Sequence, residues 1–258
     1  MKEGQKLWTR EELILGINLY CKMPFGKIHK GNPDVIHLAN LIGRSPSAIS
    51  RKLGNFARFD PSLQARGVGG LSNGAKLDET IWNEFYNNWE ERAYQSEQLR
   101  AKFENKPVEQ LIDTEDIEIK EGKEKERLVK TRVNQSFFRS MILASYNLSC
   151  CITGIKTSGL LVGSHIVPWS EDKANRLNPR NGLCLNTLHD KAFDLHLFSI
   201  NPDLRIVVSK RLKKEKGNKF IQENFLEFDG KFITEPKKFL PDEQFLLKHN
   251  ERFKVKNV

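Results

Sequence analysis

The stretch that most constrains this chain runs Ser164-His165-Ile166-Val167-Pro168-Trp169, then Asn178-Pro179-Arg180-Asn181-Gly182-Leu183, then His189-Asp190-Lys191-Ala192-Phe193-Asp194. The apolar pair Leu161-Val162 and the small Gly163-Ser164 step predict a short strand with His165 at its end, the imidazole facing out. Asn181-Gly182 is a tight-turn signature, and an asparagine side chain can hold such a loop by bonding nearby backbone. Leu188, Ala192, Phe193 and Leu195 form an amphipathic run that predicts a short helix starting near His189 and returning over the strand.

A neutral histidine has a pKa near working pH and can take the proton of an attacking water. A divalent cation can hold charge on a departing oxygen. Phosphodiester hydrolysis needs both, and the order His-Asn-His suits it. Taken as a whole string with its spacing, residues from roughly 130 to 200 resemble an HNH endonuclease domain of the ββα-metal type.

The resemblance implies that His165 is the general base, that Asn181 orients the loop, and that His189 binds a divalent metal, Mg²⁺ or Mn²⁺. Many relatives have Asp or His directly before the general base as a metal ligand, and Ser164 stands there in this chain. Asp194 and Asp190 are the candidates for a second protein ligand, Asp194 being taken forward, because carboxylate oxygen suits Mg²⁺. His196 is left out, since the family usually has glycine at that place. From the residues alone other roles stay open: His189 as a packing or capping residue, Asn181 as a turn residue, Asp194 bonded to backbone at a helix end.

The cysteines are Cys21, the adjacent Cys150-Cys151 and Cys184. Neighbouring cysteines do not reproduce C-x-x-C geometry, so no structural zinc is expected. Cys151 and Cys184 sit in apolar company and read as small core residues. Four scattered cysteines without a signal peptide suggest a reducing cytoplasm, and no run reaches the length of a membrane span.

With 258 residues there is room for two modest domains. The net charge of +9 gives a mild preference for a polyanion. The charge is uneven. Residues 104–126 hold nine acidic residues against four basic ones and read as a solvated linker, whereas 205–219 hold seven basic residues against one acid and read as a phosphate-contacting hairpin or strand pair, or as a plain surface loop.

Towards the amino terminus Thr9 has a glutamate three residues on, Glu12, and is followed by Leu13, Ile14, Ile17, Leu19 and Tyr20, which predicts a capped first helix. A second helix is expected over 34–42, stopped by Gly43, and a third is opened by Ser45-Pro46, with Ile49, Leu53 and Phe56 on one face. This arrangement resembles a helix-turn-helix module, with Arg44, Ser47, Ser50, Arg51 and Lys52 as DNA-contact candidates, although a three-helix bundle of purely structural or protein-binding role has the same spacing. The glycine-rich residues 66–74 are a candidate wing or flexible loop, and 80–92, with Ile81, Trp82, Phe85, Tyr86 and Trp89, predict one aromatic-faced helix closing the domain.

Residues 129–146 predict a helix beneath the nuclease-like motif. On it, Arg132, Gln135 and Arg139 resemble the family's Arg-x-x-Gln-x-x-Phe-Arg element and are candidates for backbone-phosphate contacts, with surface salt bridges as the alternative. Strand-like stretches follow at 197–209 and 220–233, with Asp229-Gly230 as a hairpin signal, and 241–253 predict a closing helix.

The expected class is therefore α+β: a helical, winged or unwinged, helix-turn-helix domain at 1–100, an acidic linker at 101–126, and a ββα-metal HNH nuclease domain at 127–258. The resemblance implies cleavage of double-stranded DNA leaving 5′-phosphates, in restriction of foreign DNA and with 5-methylcytosine-dependent cutting among the options. Two active sites in a homodimer would allow a double-strand cut in one event. The alternatives are a nicking or homing endonuclease of a mobile element, and a helix-turn-helix regulator with a decayed nuclease site.

Overall fold

The computed structural model describes residues 6–68, 76–111 and 123–256. Most of the candidate wing (69–74) and the middle of the acidic linker (112–122) lie outside the described residues.

The first helix, α1 (Arg10–Lys22), starts with a reciprocal cap: Thr9 Oγ1 accepts the Glu12 N–H, and Glu12 Oε2 accepts the Thr9 N–H at 2.8 Å. Helix α2 (Pro33–Ile42) ends at Gly43, whose φ of 64° is the left-handed conformation that glycine reaches without strain. Ser45 caps α3 (Pro46–Phe56), and Ile49, Leu53 and Phe56 are buried as their spacing requires. A short α4 (Pro61–Ala65) follows, capped by Asp60.

The single helix expected over 80–92 is two. Asn88 leaves the helical region (φ −152°, ψ 67°) and caps the next helix with its side chain, separating α5 (Lys76–Asn87) from α6 (Trp89–Glu104). The break lets Trp89 join Tyr20, Phe56, Trp82, Phe85 and Phe239 in one aromatic cluster with ring centroids 5.7–6.3 Å apart. Such pairs each add about 0.5–1.5 kcal/mol beyond the area they bury.

Helix α7 (Lys123–Ser145) is shared by both halves. It packs on α1 and α6 on one side and on the strands β1 (Leu161–His165) and β2 (Gly182–Asn186) on the other. These strands are antiparallel, with His165 opposite Gly182 and Leu161 opposite Asn186, and α8 (Thr187–Asp194) follows at once. A second hairpin, β3 (Phe198–Ile200) with β4 (Ile206–Val208), packs on the terminal helix.

Between them the sequence expectation fails in two places. Strand character after Val208 is cut off by Ser209, which caps α9 (Lys210–Lys213), so the basic segment is a helical turn and loop rather than a hairpin. Asn218 then caps α10 (Lys219–Asn224) where a strand was expected. Only 230–233 return alongside β4, after a turn in which Gly230 has φ 75° and donates its N–H to Ile206 O. The closing helix is α11 (Glu243–Lys256).

The helical and nuclease-like halves share a continuous core. At their junction Lys238, fully buried, donates its ammonium protons to the carbonyls of Tyr20, Cys21 and Met23 at the end of α1, while Asp60 accepts the Phe239 N–H at 3.0 Å. No described helix is long and apolar enough to cross a membrane.

Candidate active site

His165 ends β1, and its ring lies flat on Phe138 of α7, with centroids 3.9 Å apart and planes within 9°. Its Nε2 is 2.8 Å from the Arg176 carbonyl. A carbonyl oxygen only accepts, so Nε2 carries the proton and Nδ1 keeps its lone pair. Burial pushes the His165 pKa below its ordinary value, opposed by the Arg176 carbonyl and by the negative charge of Asp190. The result is a neutral imidazole with one basic nitrogen, as a general base needs.

The glycine opposite is required by close approach and not by a turn. Gly182 is extended (φ −141°, ψ 148°), and a Cβ there would lie 2.8 Å from Ile142 Cγ1 and 2.9 Å from Phe138 Cζ. Gly182→Ala is therefore expected to cost about 2 kcal/mol by overpacking and to displace the ring beneath His165. Denaturant unfolding checks the first effect, and cleavage assayed where the variant is still folded checks the second.

Asn181 is buried and clasps the connection between the strands. Its Oδ1 accepts the Val167 N–H at 2.8 Å, and its Nδ2 donates to the carbonyls of Val167 and Asn175. It fixes the course of the chain on either side of the loop that supplies the Arg176 carbonyl.

His189 lies in a different environment. It is buried among Phe198, Phe225 and Phe228. Its Nε2 is 2.7 Å from the Asn224 carbonyl, and its Nδ1 is 3.0 Å from the amide nitrogen of Asn186. Nε2 thus donates to that carbonyl, and the single lone pair, on Nδ1, accepts from the Asn186 amide, so none is directed at a metal. The next residue, Asp190, is the one on α8 whose charge acts on His165, and it acts on Asp194 as well. Asp194 is exposed, and its carboxyl is raised above the ordinary value by partial burial and by Asp190.

Two carboxylates one helical turn apart repel each other, which a cation between them relieves. Mg²⁺ characteristically takes one or two protein carboxylates and completes its shell with water and phosphate oxygen. The donor set therefore fits, although no group of three or more His, Cys, Asp or Glu among the described residues is arranged around a common point. Ser164, directly before His165, is buried with its hydroxyl unbonded in the core. His196 has φ 56° just past the end of α8, a left-handed conformation that glycine reaches without strain.

The DNA-contact candidates divide by orientation. Arg44 is turned inward to Glu12 at 2.6 Å and to the carbonyls of Lys6 and Leu7, stacked over Trp8. Lys52 is buried against both oxygens of Asp78, at 2.9 and 2.7 Å. Both hold the helices together. Ser47 and Arg51 are exposed on α3 and Ser50 is half-buried. On α7, Arg132 and Gln135 are exposed, and Arg139 donates to the carbonyls of Ser158 and Leu161, pinning the entry to β1.

No curated protein matches the chain. Residues 150–201 match the HNH endonuclease family. This segment contains β1, β2 and α8 with His165, Asn181 and Asp190, so the C-terminal half of this α+β chain carries an HNH endonuclease domain.

Proposed function

We propose that the protein is a metal-dependent DNA endonuclease in which the HNH domain cuts and the N-terminal helices read or hold the duplex. The observation that carries this reading is His165, kept neutral by burial and oriented by the Arg176 carbonyl so that Nδ1 is free, with the Asp190 charge on α8 acting on it. His165 takes a proton from water as the water oxygen bonds to phosphorus. The P–O3′ bond breaks, and the 3′ oxygen leaves to be protonated from solvent, giving a 5′-phosphate. Asp190, with Asp194, would hold Mg²⁺ or Mn²⁺, which when bound stabilises negative charge on the departing oxygen.

Duplex contacts are assigned to Ser47, Ser50 and Arg51 on α3, in a helix-turn-helix role, and to Arg132 and Gln135 on α7. Arg44 and Lys52 support these faces from within, and Arg139 pins the entry to β1. Restriction of foreign DNA, cytosine-methylated DNA included, is the biological role we favour, with a homodimer supplying two cuts.

The test is cleavage of matched unmodified and cytosine-methylated plasmids with Mg²⁺ or Mn²⁺. Cutting confined to the methylated plasmid supports modification-dependent restriction. Cutting of both supports ordinary restriction or a nicking enzyme, and a long asymmetric site would point to a homing enzyme. Sequence-specific binding without cutting would favour a regulator with a decayed site.

A further inference from the structure

The connection between β1 and β2 does more than supply a carbonyl to His165. Arg176 donates its Nε proton to the Trp169 carbonyl at 2.8 Å, and its guanidinium lies over the Trp169 ring, 5.2 Å from the centroid. The same ring meets His165 edge-on, with centroids 5.6 Å apart. Arg176 and the general base therefore share one aromatic neighbour, and the main chain of Arg176 bonds to the base directly.

Three of the neighbouring cations are committed elsewhere, and Lys173 in the same loop is exposed to solvent. Arg180 pairs with Asp242 at 3.0 Å, Arg252 pairs with Glu171, and Lys248 lies 3.9 Å from Asp172. These pairs fasten the loop to the residues around α11. Arg176 enters no ion pair among the described residues and spends only its Nε there, so its two terminal nitrogens remain as an oriented fork.

We infer that Arg176 binds the scissile phosphate, its terminal N–H groups bonding the non-bridging oxygens while His165 activates the water. A planar guanidinium matches two phosphate oxygens at once. Held in place by Trp169 before substrate arrives, it meets charge that grows on those oxygens during displacement. The inference rests on the nuclease reading above.

The test compares Arg176→Ala, Arg176→Gln and Arg176→Lys in single-turnover cleavage of a short duplex with Mg²⁺, together with DNA affinity and thermal melting. Glutamine places its amide nitrogen as many bonds from the backbone as the arginine Nε, so it can keep the bond to Trp169 while deleting the charged fork. Lysine keeps the charge and loses that bond.

The expected result is a loss of about 100-fold in cleavage rate for alanine and glutamine alike, with duplex affinity within about threefold of native and roughly tenfold of the rate recovered by lysine. A purely structural arginine would give the opposite order, glutamine above lysine. That order, or a glutamine variant cutting at the native rate, would overturn the assignment of Arg176 alone. A native protein that cuts with neither Mg²⁺ nor Mn²⁺ would overturn the nuclease reading and this assignment with it.

Discussion

Lys238→Met is expected to destabilise the protein by about 3 kcal/mol, because each hydrogen bond from a charged donor contributes about 1.5–3 kcal/mol and its loss leaves buried carbonyls unsatisfied. The ammonium closes the carbonyls of Tyr20, Cys21 and Met23, which end α1 and which the helix itself cannot satisfy. Burial lowers the Lys238 pKa to about 8, against the opposing effects of Cys21 and Asp60, so the charge is retained at neutral pH despite its cost. Methionine fills the same volume and offers no donor. In a chain of this size the loss corresponds to a fall of roughly 6–12 °C in melting temperature. Thermal and urea unfolding measure it, and a change below about 1 kcal/mol, the net worth of a single ordinary hydrogen bond, would show that the three carbonyls find other partners.

His165→Ala is expected to lower the single-turnover cleavage rate by about 1,000-fold, within the range attributed to a positioned general base. The variant also loses the ring packed on Phe138 and Trp169 and the bond to Arg176, so its rate is compared at a temperature where it is folded. The native rate should also carry a pH signature. The His165 pKa lies below the ordinary 6.5, so the neutral, active form persists as the pH falls through 6.5 and is lost only at lower pH. A variant retaining a tenth or more of the native rate, or a native acid limb above pH 6.5, would remove His165 from the role of base.

Local signals were well preserved from sequence to structure. The Thr9–Glu12 box, Gly43, Ser45-Pro46 and the Leu161–His165 strand each depend on residues within a few positions, and each formed as its chemistry dictates. What the sequence hid was orientation and distant partnership. His189 and Asp190 are adjacent, about 100° apart around a helix, and only the packing of Phe198, Phe225 and Phe228 shows which one is enclosed.

Arg44 and Lys52 resembled DNA-facing cations because their partners Glu12 and Asp78 are 32 and 26 residues away. Asn181-Gly182 resembled a turn, whereas the glycine serves the approach of α7 and the asparagine clasps Val167. Residues 220–233 were apolar and aromatic enough for a strand, and the Asn218 cap made them start as a helix. Lys238 carried no local signal at all, since its three acceptors lie more than 200 residues earlier.

If His165 at the end of β1 works with a cation held by the α8 carboxylates, a Mg²⁺ titration of single-turnover duplex cleavage will separate the native protein from Asp190→Asn. Native cleavage is expected to depend on the cation, and the variant to need at least about tenfold more Mg²⁺ for half its maximal rate. Equal Mg²⁺ dependence in the two proteins, or no cleavage by the native protein at any Mg²⁺ concentration, would contradict this.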